Sequence, residues 1–138
     1  MDGPTLILLD GPLGAGKSTL ARAIARGAGV SSNLPSPTFN IVLCYAGRGD
    51  LSVTHADLYR IETPAELDDL GLDDLFAEGL VMVEWPERAG DRFRADRWEV
   101  SLRFVQGRSE VRDVIVARRG TPAPIPSLGA GSTAAGPA

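Results

Sequence analysis

Apolar and polar positions recur along this chain with periods that change from block to block, and each period predicts an element. Residues 5–9 (Thr-Leu-Ile-Leu-Leu) form an unbroken apolar run between Gly3-Pro4 and Asp10-Gly11-Pro12. A short continuous run bounded by turn residues predicts a buried strand in a sheet covered on both faces. A glycine-rich turn from Gly11 to Gly16 follows. In Lys17–Ala28, Leu20, Ile24 and Ala28 recur at i, i+4, i+8, which predicts an amphipathic helix. Gly27 and Gly29 mark its end. Residues 31–38 hold two prolines and read as loop. Phe39–Tyr45 and Leu51–Ala56 read as strands around the turn Ala46-Gly47-Arg48-Gly49-Asp50, which predicts an antiparallel hairpin.

Thr63-Pro64-Ala65-Glu66 predicts a helix start, with Thr63 as cap, Pro64 at the first helical position and Glu66 completing a capping box. Gly71 closes that helix, and Asp73–Ala77 adds a turn before Gly79. Leu80–Val83 is a second buried strand running into Glu84-Trp85-Pro86, and residues 86–95 read as helix and loop. Trp98–Val105 and Val111–Ala117 read as strands joined through Gln106-Gly107-Arg108. Thr121–Ala138 is uncharged and dominated by Gly, Pro, Ala and Ser. Such a segment buries too little to offset its ordering entropy, so a single domain over 1–120 with a disordered tail over 121–138 is expected.

Composition narrows the class. A length of 138 residues suits one domain. With 43% apolar and 23% charged residues, wholesale disorder is excluded. No apolar run approaches the roughly 18 residues of a bilayer span. The start, Met1-Asp2-Gly3-Pro4, shows no secretory signal. The single cysteine, Cys44, excludes an internal disulfide, and a reducing cytoplasm is the expected setting. Cys44 lies mid-strand and reads as core. The net charge is −4, but residues 1–85 hold 5 basic and 12 acidic residues while 86–138 hold 9 and 6. That balance argues against a wholesale nucleic-acid binder, and the basic third reads as a solvated mixed-sign surface, with a face for an acidic partner or RNA as the alternative.

Thirteen of the cations are arginine, and the one lysine is Lys17. It belongs to Gly11-Pro12-Leu13-Gly14-Ala15-Gly16-Lys17-Ser18, a full match to G-x-x-x-x-G-K-[ST] set between an apolar strand and a helix. Glycines let backbone N–H groups converge on phosphate oxygens. The helix that follows, through Thr19, aims its positive end at the same anion. Lys17 supplies a compact ammonium for the outer phosphates, and the Ser18 hydroxyl suits Mg²⁺.

Hydrolysis or transfer further needs metal ligands and a group that orients the attacking oxygen. Glu84 ends the second buried strand, where such an acid belongs. Asp57 ends the strand through Val53-Thr54-His55-Ala56. Thr38, in the proline-containing loop, is placed to sense a γ-phosphate or the metal. His55, the one histidine, reads as a structural residue rather than a base. Trp85 reads as packing at the rim of the site.

Four segments together, GPLGAGKSTL (11–20), SPTFNIV (36–42), HADLYRIETPAELDDLGLDDLF (55–76) and VMVEWPER (81–88), resemble the bacterial TsaE family, the P-loop ATPases of tRNA threonylcarbamoyladenosine synthesis. The resemblance covers about residues 5–118. It implies an α/β fold, a P-loop NTPase core with a mixed parallel/antiparallel sheet flanked by helices. It implies that Lys17 and the loop amides hold ATP, that Ser18 and Glu84 serve Mg²⁺, that Asp57 acts on metal or water, and that Thr38 senses the nucleotide. It also implies TsaB and TsaD as partners, with tRNA reached through that assembly, and ATP hydrolysis that resets the assembly for repeated turnover. The chain departs from the family in beginning almost at the P-loop strand, in Pro12 where an acid is common, in Ser18 where threonine is usual, and in its tail. The rival reading is a small P-loop kinase of a nucleoside or metabolite, with Arg88, Arg92, Arg94 and Arg97 as a lid. A GTPase is disfavoured, because its N-K-x-D motif needs a second lysine.

Overall fold

In the computed structural model, residues 4–32, 34, 41–71, 74, 77–90, 92–93 and 96–125 are described. The first apolar run becomes β1 (Thr5–Asp10), and the helix after the glycine turn is α1 (Lys17–Gly27). The hairpin strands are β2 (Val42–Ala46) and β3 (Ser52–Asp57); Phe39 and Asn40 lie outside the described residues. Then come α2 (Pro64–Asp69), β4 (Leu80–Glu84), a 3-10 turn (Pro86–Ala89), β5 (Arg97–Val105) and β6 (Arg108–Arg119). Of the turn expected at Asp73–Ala77, residues 73, 75 and 76 lie outside the described residues.

One six-stranded sheet carries these elements in the order β2-β3-β4-β1-β5-β6. β1 runs parallel to β4 and β5, and β3 parallel to β4. The two hairpins, β2–β3 and β5–β6, make the antiparallel edges. The sheet is therefore mixed, as expected.

Alternation along the central strands divides the core into two layers. Ile7, Leu9, Val53, Leu80, Met82 and Val100 pack with Ala21, Ile24, Ala25 and Ala28 of α1. On the other face Leu6, Leu8, Ala56, Val81 and Val83 pack with Leu58, Ile61, Leu67 and Ala89. A fully buried side chain such as Met82 contributes about 1.5–3 kcal/mol by removal from water. The α1 stripe is turned slightly from the expected one. Ala21 and Ala25 are buried and Leu20 only partly so, because alanines let the helix sit close on the sheet.

α2 begins as its sequence predicts. The Thr63 hydroxyl accepts from the Glu66 amide at 3.2 Å, and the Glu66 carboxylate accepts from the Glu62 amide at 3.1 Å. Past Gly120 the chain returns onto the sheet: the Trp98 indole donates to the Ala123 carbonyl at 2.8 Å, and Ile125 packs against the α1-side core.

Two expectations fail: residues 121–125, expected within a disordered tail, lie against the sheet instead, and a second concerns Cys44. Cys44 is exposed, not core. β2 is an edge strand whose residues are all half-buried or exposed, so an apolar mid-strand position there does not imply burial.

Candidate functional site

The C-terminal ends of β1, β3 and β4 lie side by side, with Leu9 opposite Glu84 and Glu84 opposite Asp57. Chain crossovers at this end open a crevice, the usual ligand position of a parallel α/β sheet. The loop from Gly11 to Gly16 rises from β1 into α1. Gly11, Gly14 and Gly16 have φ of 154°, 81° and 102°. At Gly11 a Cβ would stand 2.6 Å from the Leu102 carbonyl of β5, so glycine is required for space as well as for φ. Pro12 and Leu13 are exposed at the loop's outer side, while Ala15 is buried beneath it. The Ala15 carbonyl accepts from Arg112 of β6 at 3.2 Å, and the Ala15 amide donates to the Pro12 carbonyl at 3.1 Å.

Gly16 caps α1 without a side-chain acceptor, and no acidic residue stands in the first turn. The first amides of the helix are left for an anion, with the positive end of the helix behind them. Lys17 is only 5% exposed. Its ammonium donates to the Gly11 carbonyl and, at 3.1 Å, to the Pro12 carbonyl, and sits 3.9 Å from the centre of the Trp85 ring. Burial pushes the Lys17 pKa below its ordinary value, against the upward pull of Glu84.

Ser18 and Glu84, far apart in sequence, are in contact. The Ser18 hydroxyl lies 2.9 Å from Oε1 and 2.7 Å from Oε2 of Glu84. Asp57 stands beside Glu84 on the same face, half-buried, its Oδ1 accepting from the Tyr59 amide at 3.0 Å. Burial raises the Asp57 pKa, the Tyr59 amide opposes this, and the Glu84 charge adds to the rise. Two neighbouring ligands of an octahedral Mg²⁺ at roughly 2.1 Å stand about 3 Å apart. The Ser18 and Glu84 oxygens are already at that separation, so these residues fit the cation.

A cleft of about 310 Å³ opens over these groups, lined by the loop glycines Gly14 and Gly16, by Leu13 and Lys17 to Thr19, and by Asp57, Tyr59, Glu84 and Trp85. Thus Gly11–Thr19, Asp57 and Glu84 gather at one end of the sheet. Thr38 lies outside the described residues. Trp85 holds φ 58° and ψ 51°, the one positive-φ non-glycine described, and this left-handed turn lays its ring over Lys17. Tyr59 packs on Trp85 at 4.9 Å between ring centres. Tyr59 was not singled out from sequence, although its position two residues past Asp57 was a signal that it turns toward the same end. The other addition is His55, buried with Nε2 2.6 Å from Glu84 Oε2.

Two of the proposed lid arginines are occupied elsewhere. Arg92 pairs with Asp68 and Arg97 with Glu99, while Arg88 lies 5.7 Å over the Tyr59 ring. Arg94 is outside the described residues.

A family model described as threonylcarbamoyl adenosine biosynthesis protein TsaE matches residues 1–113. The chain belongs to the TsaE family. A TsaE protein of Streptomyces coelicolor is 36% identical over 119 residues, which cover 83% of this chain and 80% of that protein. A TsaE protein of Synechocystis is 43% identical over 89 residues, covering 61% of this chain and 55% of that protein. Both are named tRNA threonylcarbamoyladenosine biosynthesis proteins. The match to the Bacillus subtilis TsaE protein covers 61% of its length at 36% identity, so the chain spans between about half and four-fifths of these relatives. The crystal structure of Bacillus subtilis YdiB superposes with a TM-score of 0.63 and 26% identity, over 83% of this chain and 68% of that one. The TsaE assignment agrees with the P-loop α/β architecture built above. No helix among the described residues is long and apolar enough to cross a membrane.

Proposed function

We propose that this chain is a Mg²⁺-dependent ATPase of tRNA N6-threonylcarbamoyladenosine formation, working in the cytoplasm with TsaB and TsaD, and that hydrolysis resets their assembly for a further round of transfer. The observation that carries the reading is the Ser18 hydroxyl resting on the Glu84 carboxylate beside Lys17 at an uncapped helix start. Family membership supplies the pathway.

Entering phosphates displace the Gly11 and Pro12 carbonyls from Lys17, whose ammonium then pairs with the outer phosphate oxygens. The loop amides and the α1 terminus bind the remaining phosphate charge. Ser18 and Glu84 would hold Mg²⁺, which would supply positive charge against the negative charge that develops on the phosphates. Asp57 stands next to Glu84 and is placed to accept a hydrogen bond from the attacking water. The Trp85 and Tyr59 rings wall the cleft and exclude bulk water from the phosphates. Thr38 is assigned to sensing the nucleotide.

The test is threonylcarbamoyladenosine formed per assembly over many turnovers. TsaB, TsaD, tRNA, threonylcarbamoyl-AMP and ATP are mixed with this chain, with its Lys17→Ala form, or with neither. Many rounds with the intact chain alone support the proposal. ATP hydrolysis with no gain in turnover refutes the resetting role and brings forward the kinase.

A further inference from the structure

Among the described residues, the buried polar or charged side chains are Lys17, Thr54, His55 and Glu84. Of the ionisable three, only His55 has no task in the chemistry above. Its position follows from strand parity. Val53 faces the α1 layer, so His55 and Asp57 point the same way along β3, as Leu80, Met82 and Glu84 do along β4. The register sets His55 opposite Met82, one pleat short of Glu84, and the imidazole reaches Glu84 along the diagonal. Nε2 lies 2.6 Å from Oε2, with each side chain 3% exposed. A carboxylate only accepts, so Nε2 donates.

The two Glu84 oxygens are not equivalent. Among the described residues, Oε2 receives both His55 at 2.6 Å and the Ser18 hydroxyl at 2.7 Å, whereas Oε1 receives Ser18 alone at 2.9 Å. A hydroxyl that turns a lone pair to a cation keeps its single proton to donate, and Oε2 is the nearer acceptor. Oε2 then has both donors, and Oε1 is left open. We propose that His55 is a positioning residue of the nucleotide–metal site: it anchors Oε2 of Glu84 and so presents Oε1, together with Ser18 Oγ, to Mg²⁺. The inference rests on the Mg²⁺–ATP reading above. It assigns to this histidine a role beyond filling space between β3 and β4. A carboxylate fixed in advance loses no rotamer freedom when the cation arrives, and supporting partners of this kind govern metal affinity.

The experiment measures affinity for a fluorescent ATP analogue, with Mg²⁺ and with EDTA, in the whole untagged chain, in His55→Leu and in His55→Gln. The Gln side-chain amide can donate from near the Nε2 position. The Mg²⁺-dependent gain in affinity should fall about tenfold or more in His55→Leu, be largely restored in His55→Gln, and leave affinity in EDTA changed by no more than about twofold. Because the chain has one histidine, its imidazole NMR signals are unique, and in the unmodified chain they should move when Mg²⁺ joins the bound nucleotide. A full Mg²⁺-dependent gain in His55→Leu, equal losses with and without Mg²⁺, or no rescue by His55→Gln would each overturn the proposal. If both variants fail to fold, imidazole signals indifferent to Mg²⁺ overturn it. An unmodified chain whose affinity ignores Mg²⁺ refutes the ATPase reading itself.

Discussion

Lys17→Met separates the cost of the lysine to the fold from its value to the nucleotide. In the nucleotide-free protein the ammonium is buried against two backbone carbonyls and the Trp85 ring. Burial pushes its pKa down despite Glu84, so its surroundings on balance disfavour the charge. Methionine keeps the apolar stem and removes that charge, and unfolding stability should change by less than about 1 kcal/mol. Binding should respond differently. A hydrogen bond from a charged group contributes about 1.5–3 kcal/mol, so ATP affinity should fall roughly 10- to 150-fold. A chain of 138 residues has an unfolding entropy of about 0.3 kcal/mol/K. At ATP one hundred times its dissociation constant the unmodified protein gains about 2.7 kcal/mol, or about 9 °C in melting temperature. A thirtyfold weaker variant at the same ATP concentration gains about 0.9 kcal/mol, or about 3 °C. Thermal melts with and without Mg-ATP read both quantities. An equal ATP-induced shift in the two proteins refutes the phosphate role of Lys17. A nucleotide-free melting temperature lowered by clearly more than about 3 °C refutes the claim that the fold does not need the charge.

Three further outcomes are expected. Gly11→Ala sets a Cβ 2.6 Å from the Leu102 carbonyl at φ 154°, and should cost about 2–4 kcal/mol and displace the phosphate loop; a melting temperature and ATP affinity both unchanged would contradict this. Thr63→Ala removes the cap on the Glu66 amide, and should cost about 1 kcal/mol in urea titrations while ATP affinity stays constant; a loss of affinity would tie α2 to the site. Asp57→Asn tests the pH dependence. Burial raises the folded pKa above 3.8, so the folded state holds this proton more tightly than the unfolded state does. The Asp57 contribution is therefore most favourable below pH 3.8 and is lost as pH rises toward the folded value. The stability of Asp57→Asn relative to the unmodified chain should rise across that window, and a difference that falls instead would reverse the assignment.

The site was legible in the sequence as far as its chemistry is local. Gly11–Ser18 must be glycine-rich to reach positive φ, and it sits between a strand and a helix that its flanking residues form on their own. The capping box at Thr63 was legible for the same reason. Glu84 and Asp57 could be placed at strand ends, but not beside each other. Their contact depends on β3 running parallel to β4 in one register, and a one-residue slip would turn either acid to the opposite face.

The sequence by itself determined the strand–loop–helix unit, the lone lysine within it, and the two hairpins. Each arises from hydrophobic period, turn residues and backbone sterics acting within one short stretch of chain. Tertiary structure decided what those units meet. It set β1 between β4 and β5, brought Ser18 onto Glu84 across 66 residues, and turned His55 onto the same carboxylate. It also left Cys44 exposed on an edge strand whose local pattern reads as buried. The physical reason is that strand order and register minimise the exposed apolar area of the whole sheet, a quantity that no single segment contains.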